Sequence, residues 1–100
     1  MVKLALFVKL RAKPGKESEL QKLLEGALSI VDEEDGTPLW FALKFDKSTF
    51  GIFDAFSDES GRKAHLDGRV AAALMAKAPE LLAETPVIEK IDLLASKVEA

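Results

Sequence analysis

Val2-Lys3-Leu4-Ala5-Leu6-Phe7-Val8-Lys9-Leu10-Arg11-Ala12-Lys13-Pro14-Gly15-Lys16-Glu17 is the stretch that decides the architecture. Val2, Leu4, Leu6, Val8 and Leu10 fall on one side of an extended chain, and Lys3, Ala5, Phe7, Lys9 and Arg11 on the other. That period of two predicts a strand over Val2 to Ala12. Pro14-Gly15 stops the strand and lets a helix begin. Beyond it Leu20, Leu23, Leu24, Ala27, Leu28 and Val31 recur at three- and four-residue steps, one apolar stripe for a core. Glu17 and Glu19 stand in the first turn, where the helix dipole favours anions. Asp32 to Asp35 would sit badly against a negative helix end, so the helix is expected to stop near Val31. That acidic run reads as a solvated turn, because it lacks the alternating oxygen ligands and distal glutamate of a calcium loop.

The pattern continues outward from there. Leu39 to Phe45 and Phe50 to Phe56 read as two strands joined by Asp46-Lys47-Ser48-Thr49, a hairpin. Ser57 or Asp58 can cap the next helix. Asp67-Gly68 marks a break, after which Arg69 to Lys77 resumes as a helix. Pro79 suits the first turn of a further short helix over Glu80 to Glu84. Val87 to Ala95 is the closing strand. Strand, helix, strand, strand, helix, strand predicts an α+β fold of the ferredoxin-like, split β-α-β kind. Its four-stranded antiparallel sheet would carry the helices on one face. Residues 1–100 are expected to form a single domain.

Composition narrows the function classes. The formal charge of -3 and pI near 5.2 argue against a nucleic-acid binder, which usually presents a basic face. There is no cysteine, hence no disulfide, thiolate nucleophile or zinc ribbon. The apolar opening is interrupted by Lys3 and Lys9 and is too short for a membrane span. A cytoplasmic protein with no membrane partner is the expectation. No phosphate-binding glycine loop, Gly-x-Ser-x-Gly elbow or dinucleotide fingerprint occurs.

Helices can cover only one face of such a sheet. The other is expected to expose Phe7 and Trp40 beside Lys9 and Lys44, an apolar patch of the kind that marks an interface, here a homodimer. His65 is the only histidine. It is the candidate general acid or base; the plainer alternative is a half-buried helical histidine bonded to a neighbour. With no second histidine and no cysteine, no metal site is expected. Asp54, alone among apolar strand residues, either pairs with Lys9 or Arg11, orients His65, or binds a substrate hydroxyl. Trp40, Phe41 and Phe53 are candidates to wall a planar ring, although aromatics in so small a sheet are more often core.

Leu6-Phe7-Val8-Lys9-Leu10-Arg11-Ala12-Lys13-Pro14-Gly15-Lys16-Glu17 resembles the first strand and helix entry of the antibiotic biosynthesis monooxygenase superfamily. Phe53-Asp54-Ala55-Phe56-Ser57-Asp58-Glu59 and Ala64-His65-Leu66 are similar to that family's third-strand end and Ala-His-Leu helix. The resemblance implies a dimeric α/β barrel in which two sheets pack face to face, each protomer keeping a pocket between its sheet and helices. It implies a cofactor-independent monooxygenase acting on a quinol- or anthrone-like aromatic molecule, with no cofactor; for such a site the residues offer His65 as the catalytic candidate and Trp40, Phe41, Phe53 and Asp54 as substrate-binding candidates. The chain departs from the pattern in two places. Arg69 and Val70 occupy the stretch where quinol-oxidising members often have a second histidine. Val8 stands where the haem-degrading members carry an asparagine, which argues against haem degradation. The alternative is a non-catalytic ligand-binding or stress-related barrel that keeps the fold and has lost the chemistry.

Overall fold

The computed structural model of the protein describes residues 1–98. Its elements run β1 (Leu4–Arg11), α1 (Glu17–Val31), β2 (Leu39–Lys44), β3 (Thr49–Phe56), α2 (Glu59–Leu66), α3 (Arg69–Leu81) and β4 (Ile88–Asp92). The strands form one antiparallel sheet in the order β2-β3-β1-β4, the expected ferredoxin-like α+β arrangement. β1, β2 and β4 are shorter than their apolar patterns suggest, whereas β3 starts one residue earlier, at Thr49. The β1 ladder starts at Leu4 and β4 spans five residues, because pairing rather than alternation sets a strand's limits.

Parity along β1 divides the sheet. Leu6, Val8 and Leu10 turn to the helices and are buried, and their partners Asp54, Ile52 and Phe50 on β3 share that face. Leu20 and Leu24 of α1 and Leu74 and Leu81 of α3 close over them to make the main core. Leu10, Leu20 and Phe56 are essentially inaccessible to water. Burying a side chain of that size stabilises the fold by about 1.5–3 kcal/mol.

The connections fix how the helices meet the sheet. Gly15 takes φ 85° in the β1–α1 turn, a conformation in which a side chain would be strained. Asp58 caps α2, its Oδ1 accepting from the Gly61 amide at 2.9 Å. Gly61 lies so close to the α1–β2 loop that a Cβ there would stand 2.6 Å from the Gly36 carbonyl oxygen. This contact seats the start of α2 against the acidic loop.

Two expectations fail. Pro79 does not begin a separate helix: α3 runs through it to Leu81, and the short helix over Glu80 to Glu84 does not form. Near the end of α3 the missing proline N–H removes one bond from a helix already held by Val70, Leu74 and Leu81. Trp40 does not share the uncovered face with Phe7. Its register partner is Asp54, so it turns to the helices and packs against both core clusters. Phe41 takes the uncovered position instead, opposite Phe53, which is opposite Phe7. The two-residue alternation of β2 is as expected; the side assigned to the core was the wrong one.

Candidate active site

The cap at Asp58 sets the phase of α2, and with it the residues three apart that turn inward, Arg62 and His65. Arg62 donates through one guanidinium nitrogen to the Ala5 carbonyl at 3.3 Å and meets Glu59 at 2.6 Å. That pins the helix to β1. His65 lands in the last turn, 6 % exposed, its ring 5.6 Å from that of Phe56.

Both imidazole nitrogens are engaged. Nδ1 lies 2.5 Å from Glu34 Oε1 in the α1–β2 loop, and Nε2 lies 3.0 Å from Asp54 Oδ2 on β3. Thr37 donates its hydroxyl to the same Glu34 oxygen at 2.9 Å, fixing that carboxylate. Burial alone would push the His65 pKa down. Hydrogen bonds to Asp54 and Glu34, together with their charges, outweigh it and hold the pKa above the usual 6.5. The array thus sets one imidazole between two carboxyl groups, an arrangement that favours the protonated ring.

Asp54 is 2 % exposed, and its second oxygen, Oδ1, has no hydrogen-bond partner among the described residues. The Trp40 indole N–H is likewise buried and unpartnered. An acceptor and a donor on register partners are thus both left with unspent capacity. Leaving a buried polar group unsatisfied costs about 1–3 kcal/mol. Such unpartnered groups are few in native cores.

His65 stands in the wall between two cavities. The outer one, about 330 Å3, is lined by the charged and polar Glu33, Glu34, Asp35, Thr37 and Arg69 together with Ile30 and Ala64. The inner one, about 40 Å3, lies between the sheet and α2–α3. Asp54 and His65 are its polar members; Leu6, Val8, Ile52, Val70, Leu74 and Met75 supply apolar wall. Ile52, Val70 and Leu74 also line an apolar groove of about 250 Å3 between α1 and α3. Glu34 and Asp54 approach opposite edges of the ring and do not converge on one point. No cluster of three or more His, Cys, Asp or Glu among the described residues is arranged to hold a metal ion.

The structure brings together His65 and Asp54, with Trp40 in register beside Asp54. It does not bring Phe41 or Phe53 to them: both lie on the uncovered face of the sheet, 6.4 Å from each other, and cannot wall a pocket that His65 enters in the same protomer. The expected pairing of Asp54 with Lys9 or Arg11 fails on parity, since those residues occupy the opposite face of β1. Asp54 meets His65 Nε2 instead. Glu34 is the residue that sequence reasoning missed. In an acidic run every carboxylate looks solvated, and nothing local marks the one that reaches a histidine 31 positions away.

No protein-family model matches the chain, and no curated protein matches it. Solved structures do. A crystal structure of a protein of unknown function from Nitrosomonas europaea is 60% identical over 100% of this chain and 97% of its own, with a TM-score of 0.96. A candidate antibiotic biosynthesis monooxygenase from the same organism is 15% identical over 92% of this chain and 90% of its own, with a TM-score of 0.81. One from Caulobacter crescentus is 20% identical over 94% and 92%, with a TM-score of 0.78. At those lower identities the likeness is one of fold.

Proposed function

The chain belongs to the family of the 60%-identical Nitrosomonas europaea protein and carries the fold of the antibiotic biosynthesis monooxygenases, and from that premise we propose a homodimeric, cofactor-independent monooxygenase of a quinol- or anthrone-like aromatic molecule. The observation that carries the proposal is the buried Asp54–His65–Glu34 array at the edge of an apolar cavity. In such chemistry the substrate supplies the electrons. Loss of a proton makes an enolate or phenolate that reacts with dioxygen. One oxygen atom enters the molecule as it loses two hydrogens, both from the methylene carbon in an anthrone, and the other oxygen leaves as water. The protein's part is to hold the proton-accepting group, exclude water and stabilise the oxyanion.

Size constrains the pose. The cavity beside Asp54, about 40 Å3, admits a hydroxyl or a water, whereas a benzene ring needs roughly 150 Å3. The proposed pose sets the ring in the 250 Å3 groove between α1 and α3, which shares Ile52, Val70 and Leu74 with the cavity beside Asp54, and turns its hydroxyl toward Asp54. No helix among the described residues is long and apolar enough to cross a membrane.

One observation favours the second reading, a non-catalytic ligand-binding barrel: both nitrogens of His65 are already bonded. Incubating the protein in air with a panel of quinols and anthrones separates the two. The proposed activity gives a product with one oxygen gained and two hydrogens lost, its oxygen drawn from isotopically labelled dioxygen in the mass spectrum. Saturable binding without a product supports the non-catalytic reading.

A further inference from the structure

We propose, resting on the ligand site described above, that Asp54 rather than His65 is the catalytic residue that meets the ligand, and that His65 and Glu34 are positioning residues that make the site accept a neutral hydroxyl and reject an anion. The first support is valence. Nδ1 faces Glu34 and Nε2 faces Asp54, so the imidazolium has no nitrogen left for a ligand. The second is the Asp54 carboxylate itself. One oxygen accepts from the ring, and the other is buried, unpartnered and part of a residue lining the apolar cavity.

The third support is the balance of charge. Glu34 comes from the α1–β2 loop and Asp54 from β3; Glu33, Asp35 and Arg69 line the outer cavity on the far side of the ring. Arg62, the other buried cation of α2, is spent on Glu59 and the Ala5 carbonyl. The inner cavity therefore offers an incoming group an acceptor and no free cation. A carboxylate or phosphate would face an anionic oxygen in a dry, low-dielectric space, where like charges repel strongly. A hydroxyl donates to Oδ1. On proton transfer the ligand O–H bond breaks, its electron pair stays on the ligand oxygen, and an O–H bond forms on Asp54. The imidazolium keeps both protons, and the net charge of the site is unchanged. Catalysis of this kind, by a carboxylate base in an apolar site, has precedent in ketosteroid isomerase.

Phenol and benzoate, matched in ring and opposite in charge, provide the test by amide chemical-shift titration. Wild-type protein should bind phenol at least about ten-fold more tightly than benzoate, with shifts centred on Asp54 and Val70. Asp54→Asn, whose amide supplies a donor, should abolish that preference. The preference for phenol over benzoate should widen as pH rises through the His65 titration, because loss of the imidazolium proton leaves the site more negative. Glu34→Gln should move that midpoint to lower pH together with the His65 signals. Equal binding of the two probes, no phenol shifts at all, or a midpoint unmoved in Glu34→Gln would overturn the assignment. The wild-type comparison decides the matter if Asp54→Asn does not fold. A phenol preference without turnover of any quinol or anthrone would retire the oxidation chemistry and leave this inference standing.

Discussion

Asp54→Ala is expected to lower the stability of the fold by about 3 kcal/mol, the low end of the range for removing one member of a buried ion pair. Two features set that end of the range. The imidazole can shed its proton once Nε2 loses its partner, which spares the molecule a buried unpaired charge. The substitution also removes Oδ1, itself an unsatisfied atom. In a domain of this size such a loss lowers Tm by roughly 12–24 °C. The same contact makes stability pH-dependent. His65 has its pKa raised on folding, so its contribution is fully present below the unfolded value of 6.5 and is lost as pH rises through the higher folded value. Melting curves from about pH 6 to about pH 9 should show that decline in wild-type protein, and a much flatter profile in His65→Gln.

Phe53→Glu or Phe41→Glu is expected to convert a homodimer to monomers while leaving the protomer folded. Phe7, Phe53 and Phe41 form a row across β1, β3 and β2 on the face that no helix covers. Phe45 extends the row, edge-on to Phe7 at 6.4 Å and with the Lys9 ammonium 5.2 Å from its ring. Phe41 and Phe45 are 48% and 53% exposed in the protomer, unusual for rings with a sheet at their backs. Burying each stabilises by about 1.5–3 kcal/mol. Two-fold symmetry counts each substitution twice, so a buried glutamate should weaken association by a factor on the order of a thousand or more. Sedimentation velocity at micromolar concentration reads the result directly. Trp40→Glu should behave differently and destabilise the protomer, since that side chain is packed against the core. Wild-type protein that sediments as a monomer would leave the aromatic row without an explanation.

The architecture was legible because it rests on local periodicities. The alternation of β1, the stripe from Leu20 to Val31 and the Asp67-Gly68 break are properties of neighbouring residues, and the structure follows them except at Leu28, which is half exposed. The sides of β2 were not legible. Leu39, Phe41 and Leu43 are as apolar as Trp40 and Ala42, so hydrophobicity gives the period of that strand and not its phase. Only the register that sets Trp40 opposite Asp54 resolves it. Of the site, His65 and Asp54 could be singled out as the sole histidine and a lone carboxylate in an apolar strand. Their contact could not, because it depends on the phase of α2, which is fixed by the Asp58 cap and the close approach of Gly61 to Gly36. Glu34 was hidden among three equivalent acidic neighbours. Long-range polar contacts of this kind follow from the packing of backbones, not from any pattern along the chain.

Because His65 is the only histidine, its imidazole can be followed without assignment ambiguity by nitrogen and carbon NMR across a pH titration. A charged ring clamped between Glu34 and Asp54 should titrate above 6.5, with both ring N–H protons visible and slow to exchange with water. A single titration at or below 6.5, with ring protons exchanging freely, would contradict the buried Asp54–His65–Glu34 array on which the proposed site depends.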